Sequence, residues 1–287
     1  MNEATASAYA ERINKVIDYI NAHLQEDLSV TQLSQVANFS KYHFHRQFSE
    51  FTGINVFKLI QLMRLKRASY QLVFHEDYRI IDIALDAGFE NPESFSRAFK
   101  KAFGQTPSQF RNKPEWKPWL KKYQFPTIRN QQNMNIQIVD FRETKVAVLE
   151  HRGAPELVND TVKTFIHWRK QNKLPPKLSN TYNIVYNDPE TIEPEKYRVD
   201  ICAEITTDVT ANPHGVVTKV IPGGRCALLR HIGSWDGIGD CARYLYAQWL
   251  PNSGEDLRDF PCFFQLVNLF PEVPEHELIT DIYLPLK

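Results

Sequence analysis

Phenylalanines recur at helical spacing in two short stretches: "SKYHFHRQFSEFTG" at residues 40–53 and "NPESFSRAFKKAFG" at 91–104. In the first, Phe44, Phe48 and Phe51 fall at i, i+4 and i+7, one apolar stripe of a helix. About 200° around the helix lie Tyr42, His45, Arg46 and Ser49, a face of hydrogen-bonding groups. In the second, Phe95, Phe99, Ala102 and Phe103 take the inner side, and Glu93, Ser96, Arg97 and Lys100 the outer. Ser40 and Asn91 can each cap the first turn, Pro92 suits the first helical position, and Gly53 and Gly104 can close the last turn left-handed. Arg46 and Arg97 hold equivalent places.

The pattern extends upstream. "VTQLSQVANF" (30–39) overlies "IIDIALDAGF" (80–89), each a short apolar helix running into a tight turn. Ala84 and Gly88, being small, are expected to let the two helices of that unit approach closely. A longer amphipathic helix precedes each unit, at about 8–24 and 55–74. The spacing therefore predicts helix-turn-helix units at about 28–51 and 79–102. A solenoid would need three or more repeats, and there are two.

Beyond residue 134 the periodicity changes. "KVAVLEHRGAPELVNDTVKTFIHW" (145–168) overlies "RCALLRHIGSWDGIGDCARYLYAQ" (225–248), with Ala147/Ala227, Leu149/Leu229, His151/His231, Gly153/Gly233 and Asp160/Asp240 identical. Each copy reads as strand, glycine turn and helix, followed by two more strands. Two such β-α-β-β units predict an antiparallel sheet with helices on one face and a groove at the pseudo-two-fold. Residues 112–134, with three prolines and the pair Lys121 and Lys122, read as a linker.

Composition adds one asymmetry. The chain of 287 residues has 34 basic and 34 acidic side chains, yet residues 1–130 hold 18 Lys+Arg against 13 Asp+Glu and the remainder 16 against 21. A +5 half beside a −5 half suggests two tasks, one facing a polyanion. No apolar run reaches the roughly 18 residues of a membrane span, and the start shows no secretory pattern, so a cytoplasmic protein is expected. Cys202, Cys226, Cys241 and Cys262 are too far apart for zinc or redox pairs and read as buried, reduced thiols. His43 and His45 point apart on a helix, and Ser234 beside His231 and Asp236 reads as a turn, not a triad. No phosphate loop or dinucleotide fingerprint implies a cofactor. Lys66 and Arg67, on the connecting helix, read as solvated.

The run "LDAGFENPESFSRAFKKAFGQTPSQFR" closely resembles the DNA-binding signature of the AraC/XylS regulators, over about residues 8–111. "FSKYHFHRQF" is similar to the first recognition helix of the MarA, SoxS and Rob branch. The resemblance implies DNA contacts at Tyr42, His45 and Arg46 in the first helix and at Glu93, Ser96 and Arg97 in the second. Lys41, Ser49, Lys100 and Lys101 complete the candidate set, Lys100 as a phosphate contact. Relatives often carry a neutral residue where Glu93 stands, so half-site preference is expected to differ. Two reading helices in one chain can enter successive major grooves about 34 Å apart, and their different sequences predict an asymmetric site.

The second half resembles the GyrI-like effector-binding domain through "YNDP" with "PEKYRVDICAEI", "IPGGRCALLRHIGSWD" and the terminal "TDIYLPLK". That implies an aromatic pocket for amphipathic small molecules, with Trp168, Tyr182, Tyr186, Trp235 and Tyr244 as candidates. Phe264, in "PCFFQLVN", stands where family members often carry a glutamate that meets cations or serves hydrolysis. A phenyl ring offers neither charge nor proton transfer.

The expectation is a multidomain chain: an all-α DNA-binding domain at 1–111, a linker at 112–134, and an α/β (α+β) effector domain at 135–287. It would act as a transcription regulator and not an enzyme, with double-stranded DNA and a small molecule as partners, no membrane, and RNA polymerase if it activates. Two alternatives stay open for the second half: a hydrolase using Asp200, Glu204 or Asp281, or a passive sequestration module.

Overall fold

The computed structural model describes residues 3–75, 77–116, 134–189, 191–270 and 272–287; Lys121 and Lys122 of the expected linker lie outside them. The chain divides into two compact units, residues 1–130 with 274–276, and residues 131–273 with 277–287.

The first unit is helical: α1 (Glu3–Ala22), α2 (Val30–Val36), α3 (Lys41–Thr52), α4 (Val56–Phe74), α5 (Ile80–Asp86), α6 (Pro92–Phe103) and α7 (Pro107–Asn112). The capping residues act as their chemistry dictates. Ser40 accepts from His43 N and Asn91 from Ser94 N, while Gly53 and Gly104 close α3 and α6 at φ 73° and 79°. The phenylalanine stripes build two cores. Phe44 and Phe48 pack with Ile13, Ile20 and Leu33 in the first, and Phe95, Phe99 and Phe103 with Ile83 and Phe110 in the second. α4 belongs to both: Val56, Leu59 and Ile60 face the first core, Leu65, Ala68 and Leu72 the second. The second core also takes in Trp116, whose ring meets Phe110 and Tyr70 at 4.9 and 5.0 Å and which falls within the stretch read as linker.

Two expectations about this unit need correction. Ala84 is buried, but Gly88 is exposed in the turn, and its missing side chain makes room for Arg64 of α4 instead of a helix contact. Neither Lys66, whose side chain is 13% exposed and pairs with Glu275 at 3.0 Å, nor Arg67 is solvated. Arg67 is half-buried, and with the Gln25 amide turned to face it, the Gln25 oxygen accepts from Arg67 Nη2 at 2.9 Å. A regular apolar face told that α4 is amphipathic, but not that its remaining side would also be covered.

The second unit contains β1 (Ile136–Phe141), β2 (Thr144–Arg152), α8 (Val158–Gln171), β3 (Thr181–Val185), β4 (Arg198–Glu204), β5 (Val217–Ile221), β6 (Gly224–Ile232), α9 (Ile238–Tyr244), β7 (Cys262–Leu266) and β8 (Ile279–Pro285). α9 continues through a π-helical stretch, Leu245–Trp249, into a last turn. All eight strands form one antiparallel sheet in the order β1-β6-β8-β7-β3-β4-β2-β5. The order reads the same from either end once the repeats are exchanged, so the pseudo-two-fold passes between β3 and β7. The sequence repeat concealed one feature: each β-α-β-β unit has an extra leading strand, and the two are swapped. β1 pairs with β6 of the second repeat, and β5 with β2 of the first. α8 packs on one face, setting its Phe165 and Trp168 on Ala147, Val199 and Ile201, and α9 packs on the same face over Leu229 and Ile282. The opposite face has its own cluster around Tyr182, Phe263 and Tyr283. The four cysteines are free and buried.

Candidate nucleic-acid interface and effector groove

Anchoring α3 by Phe44 and Phe48, both fully buried, turns its polar stripe outward. Lys41, Tyr42 and Arg46 are exposed, Tyr42 at 93%, while His45 and Ser49 are half-buried. The His45 ring leans on Phe44 and on Phe57 of α4, at centroid distances of 5.9 and 6.0 Å, which limits its freedom. On α6, Glu93, Arg97, Lys100 and Lys101 are exposed and Ser96 half-buried. Neither Arg46 nor Arg97 forms an ion pair among the described residues, so both guanidinium groups keep their donors for a partner. Glu93 falls in the first turn of α6, where a carboxylate complements the free amides. That gives it a local role besides any base contact. The two units differ in the turn: four residues separate α2 from α3, and five separate α5 from α6.

In the second unit the six effector candidates divide between the two faces of the sheet. Trp235, Tyr244 and Phe264, all half-buried, gather on the helix-bearing face beside α9. Trp168 is on that face too, but it is 4% exposed and stacks on Phe165 at 5.7 Å in the core under α8. Tyr182 and Tyr186 point to the helix-free face, because side chains alternate along β3. Phe264 sits opposite Asn183, at the pair of positions where the pseudo-two-fold crosses the sheet. On the pseudo-two-fold an amide thus stands beside a phenyl ring, where the repeat leads one to expect the floor of a groove. Tyr246, not foreseen from sequence, reaches the backbone of Cys262 from the π-helical stretch, and burial pushes its phenol pKa up. An extra residue in a helical turn has no signature in hydrophobic spacing, which is why it escaped notice.

Equivalent histidines brace the two repeats. His151 Nδ1 meets Thr161 Oγ1 at 2.7 Å, and His231 Nδ1 meets Cys241 Sγ at 3.4 Å. His231 Nε2 donates to the Ser234 backbone carbonyl at 2.8 Å, and the Ser234 hydroxyl accepts from Asp236 N. These are turn contacts.

The three carboxylates weighed for hydrolysis all lie on the helix-free face and are all engaged. Asp200, fully buried, accepts from Lys219 Nζ at 2.6 Å and Tyr186 OH at 3.0 Å. Asp281 accepts two bonds from Arg230, at 2.7 and 2.8 Å. Glu204 accepts from Arg142 and Asn180 at 2.7 and 2.6 Å. Glu150 joins the first group through Lys219, and Arg198 lies 3.7 Å over the Tyr186 ring. The hydrogen bond from Lys219 holds the Glu150 carboxyl below its ordinary pKa. For Lys219, burial is the largest single influence and lowers the pKa, but the bonds to Asp200 and Glu150 outweigh it and the net shift is upward. The signs are opposite for the two groups. Glu150 contributes stability above its unfolded-chain pKa, lost as pH falls through its lower folded value. Lys219 contributes below its unfolded-chain pKa, lost as pH rises through its higher folded value. Urea midpoints measured across pH are expected to show a plateau between the two, with Lys219→Met erasing part of the alkaline fall.

Residues 134–287 match the GyrI-like small molecule binding domain, and residues 33–113 match a helix-turn-helix domain. YgiV of Escherichia coli (strain K12), named a probable transcriptional regulator, is 40% identical over 154 residues, 53% of this chain and 96% of that protein. YbfP of Bacillus subtilis (strain 168), named an uncharacterized helix-turn-helix-type transcriptional regulator, is 42% identical over 103 residues, 36% of this chain and 35% of that one. The crystal structure of the EcmrR C-terminal domain aligns with a TM-score of 0.44 at 14% identity, covering 54% of this chain and 98% of that chain.

Proposed function

The chain belongs to the GyrI-like family of small-molecule-binding domains over residues 134–287, and from that premise, with its AraC-type helix-turn-helix domain, we propose that it is a transcription regulator of the AraC family. It binds duplex DNA through α3 and α6 and responds to a small molecule held in the second unit. The observation that carries this reading is the pair of matched helices, each capped at both ends, anchored by buried phenylalanines and showing at the same position an arginine with no ion pair among the described residues. A single such helix would be an ordinary solvated surface; two with the same geometry supply one reading head per major groove.

Selection of bound sequences from a random duplex pool by the full chain tests it. Two different half-sites about one helical turn apart are expected; a footprint confined to one turn would refute the reading. Arg46→Ala is expected to cost about 1–3 kcal/mol on the selected site and to relax preference at one base position. Lys100→Ala should instead weaken all sequences alike and reduce the slope of log affinity against log salt by about 1. Mobility shifts on selected and scrambled duplexes separate the two.

For the second unit, binding is favoured over hydrolysis because Asp200, Glu204 and Asp281 are turned away from the groove and ion-paired there. With Phe264 and Asn183 on the floor, the groove suits an uncharged aromatic molecule better than a cation. The regulatory step requires that this molecule bind with different affinity to the DNA-bound and free chain. If the protein activates, RNA polymerase is the further partner, and transcription in vitro with and without the chain reads that out.

A further inference from the structure

Arg64 and Arg67 stand three residues apart on α4 and reach into both helix-turn-helix subdomains. Arg64 Nε donates to the Leu24 carbonyl and Nη2 to the Glu26 carbonyl, both at 2.8 Å, where the chain leaves α1. The same guanidinium lies against Gly88 in the turn of the second subdomain. A Cβ at residue 88 would stand 3.1 Å from Arg64 Cζ and closer still to Nη1. Arg67 bonds the Gln25 amide oxygen at 2.9 Å and is attracted by Asp86, at the end of α5. Residues 24–26 of one subdomain are thereby tied to the 86–88 turn of the other.

The internal repeat supplies a control. Asn38 holds the equivalent turn position in the first subdomain and is also left-handed, φ 52° against 75° for Gly88. Asparagine tolerates that conformation, so backbone geometry alone does not demand glycine at 88. The guanidinium adds a second reason, since a Cβ at 88 would overlap Nη1 and push the arginine aside. Apolar packing along α4 holds both subdomains together but is not directional, whereas an arginine fork bonded to two carbonyls fixes an angle.

We propose that Arg64, backed by Arg67, is a strut that sets the angle between α3 and α6 and so the number of base pairs tolerated between half-sites. It is a positioning residue that touches no DNA. The inference rests on the duplex-binding reading above.

The test uses the full chain and duplexes recovered from the random pool, rebuilt with one pair removed or one or two inserted between the half-sites. The unaltered protein should lose about tenfold or more per step of mis-spacing, since each pair rotates the second groove away from α6. Arg64→Met keeps the aliphatic stem but has no donors; Gly88→Asn, which places at 88 the residue type that Asn38 shows to tolerate a left-handed turn, displaces the guanidinium from the other side. Both should weaken the native spacing and flatten the spacing profile. As a readout independent of DNA, spin labels at Gln35→Cys and Leu85→Cys, exposed on α2 and α5 and outside the reading stripes, should report one narrow distance that broadens in Arg64→Met while helical circular dichroism is retained. An unchanged distance distribution and an unchanged spacing profile in both variants overturn the strut. Failure of the unaltered protein to enrich any duplex refutes the DNA reading, and the spacing role with it, a result distinguishable from the first.

Discussion

Phe99→Ala should destabilise the first unit by about 3–5 kcal/mol, the cost of deleting a buried ring and leaving a cavity. Phe99 is fully buried and holds together a set of rings: Phe103 stacked at 4.4 Å, Phe110 edge-on at 5.3 Å and Phe95 at 5.5 Å. Each contact adds to the area term, and Phe99 is the middle one of three fully buried rings along α6, between Phe95 and Phe103. A domain is typically stable by only about 5–15 kcal/mol, so the second recognition helix should fray and specific DNA binding fall with it. Urea unfolding followed by helical circular dichroism measures the loss; a midpoint unmoved by the substitution would show that neighbouring rings refill the space. Phe99→Leu, closer in volume, should recover part of it.

Lys219→Met is the second large effect, expected at about 3–5 kcal/mol in the second unit, because it leaves the enclosed Asp200 carboxylate without its closest cation. The magnitude comes from stranding a charge, not from the worth of the ion pair. Adding Asp200→Asn to Lys219→Met should therefore restore stability, since the amide has similar shape and no charge to strand. A double-mutant cycle gives the answer. If the double variant is as unstable as the sum of the singles, the charge is not what matters at this site.

These two sites differ in how well the sequence announced them. Phe99 was legible from spacing alone, because one helical face repeated every three to four residues and its caps marked both ends. The same logic placed Arg46 and Arg97 on the outer face. Asp200 was not legible as a core ion: it lies in the strand "RVDICAE", where alternation shows only that it shares a face with Cys202. Its partner Lys219 belongs to β5, itself one of the swapped strands, and the pairing of β5 with β2 is one that no local pattern encodes. That Tyr182 and Tyr186 face the other side of the sheet from Trp235, Tyr244 and Phe264 was hidden for a similar reason. Aromatic content suggests a pocket wall, but which face a strand residue takes depends on sheet register. Gly88 shows the opposite error, a residue type read correctly as needing space and given the wrong neighbour.

The exchanged leading strands carry a consequence for biosynthesis. Ile136 of β1 pairs with Leu229 of β6, and β6 in turn leans on β8 at the far end of the polypeptide. During translation β1 must wait for a partner made 93 residues later, on the order of 5–20 s at ordinary elongation rates. Both hydrophobic cores of the helical unit are made by Trp116, so they can form on the ribosome while the sheet is still unfinished. A nascent chain stalled in that interval would already be able to grip DNA before it can sense anything.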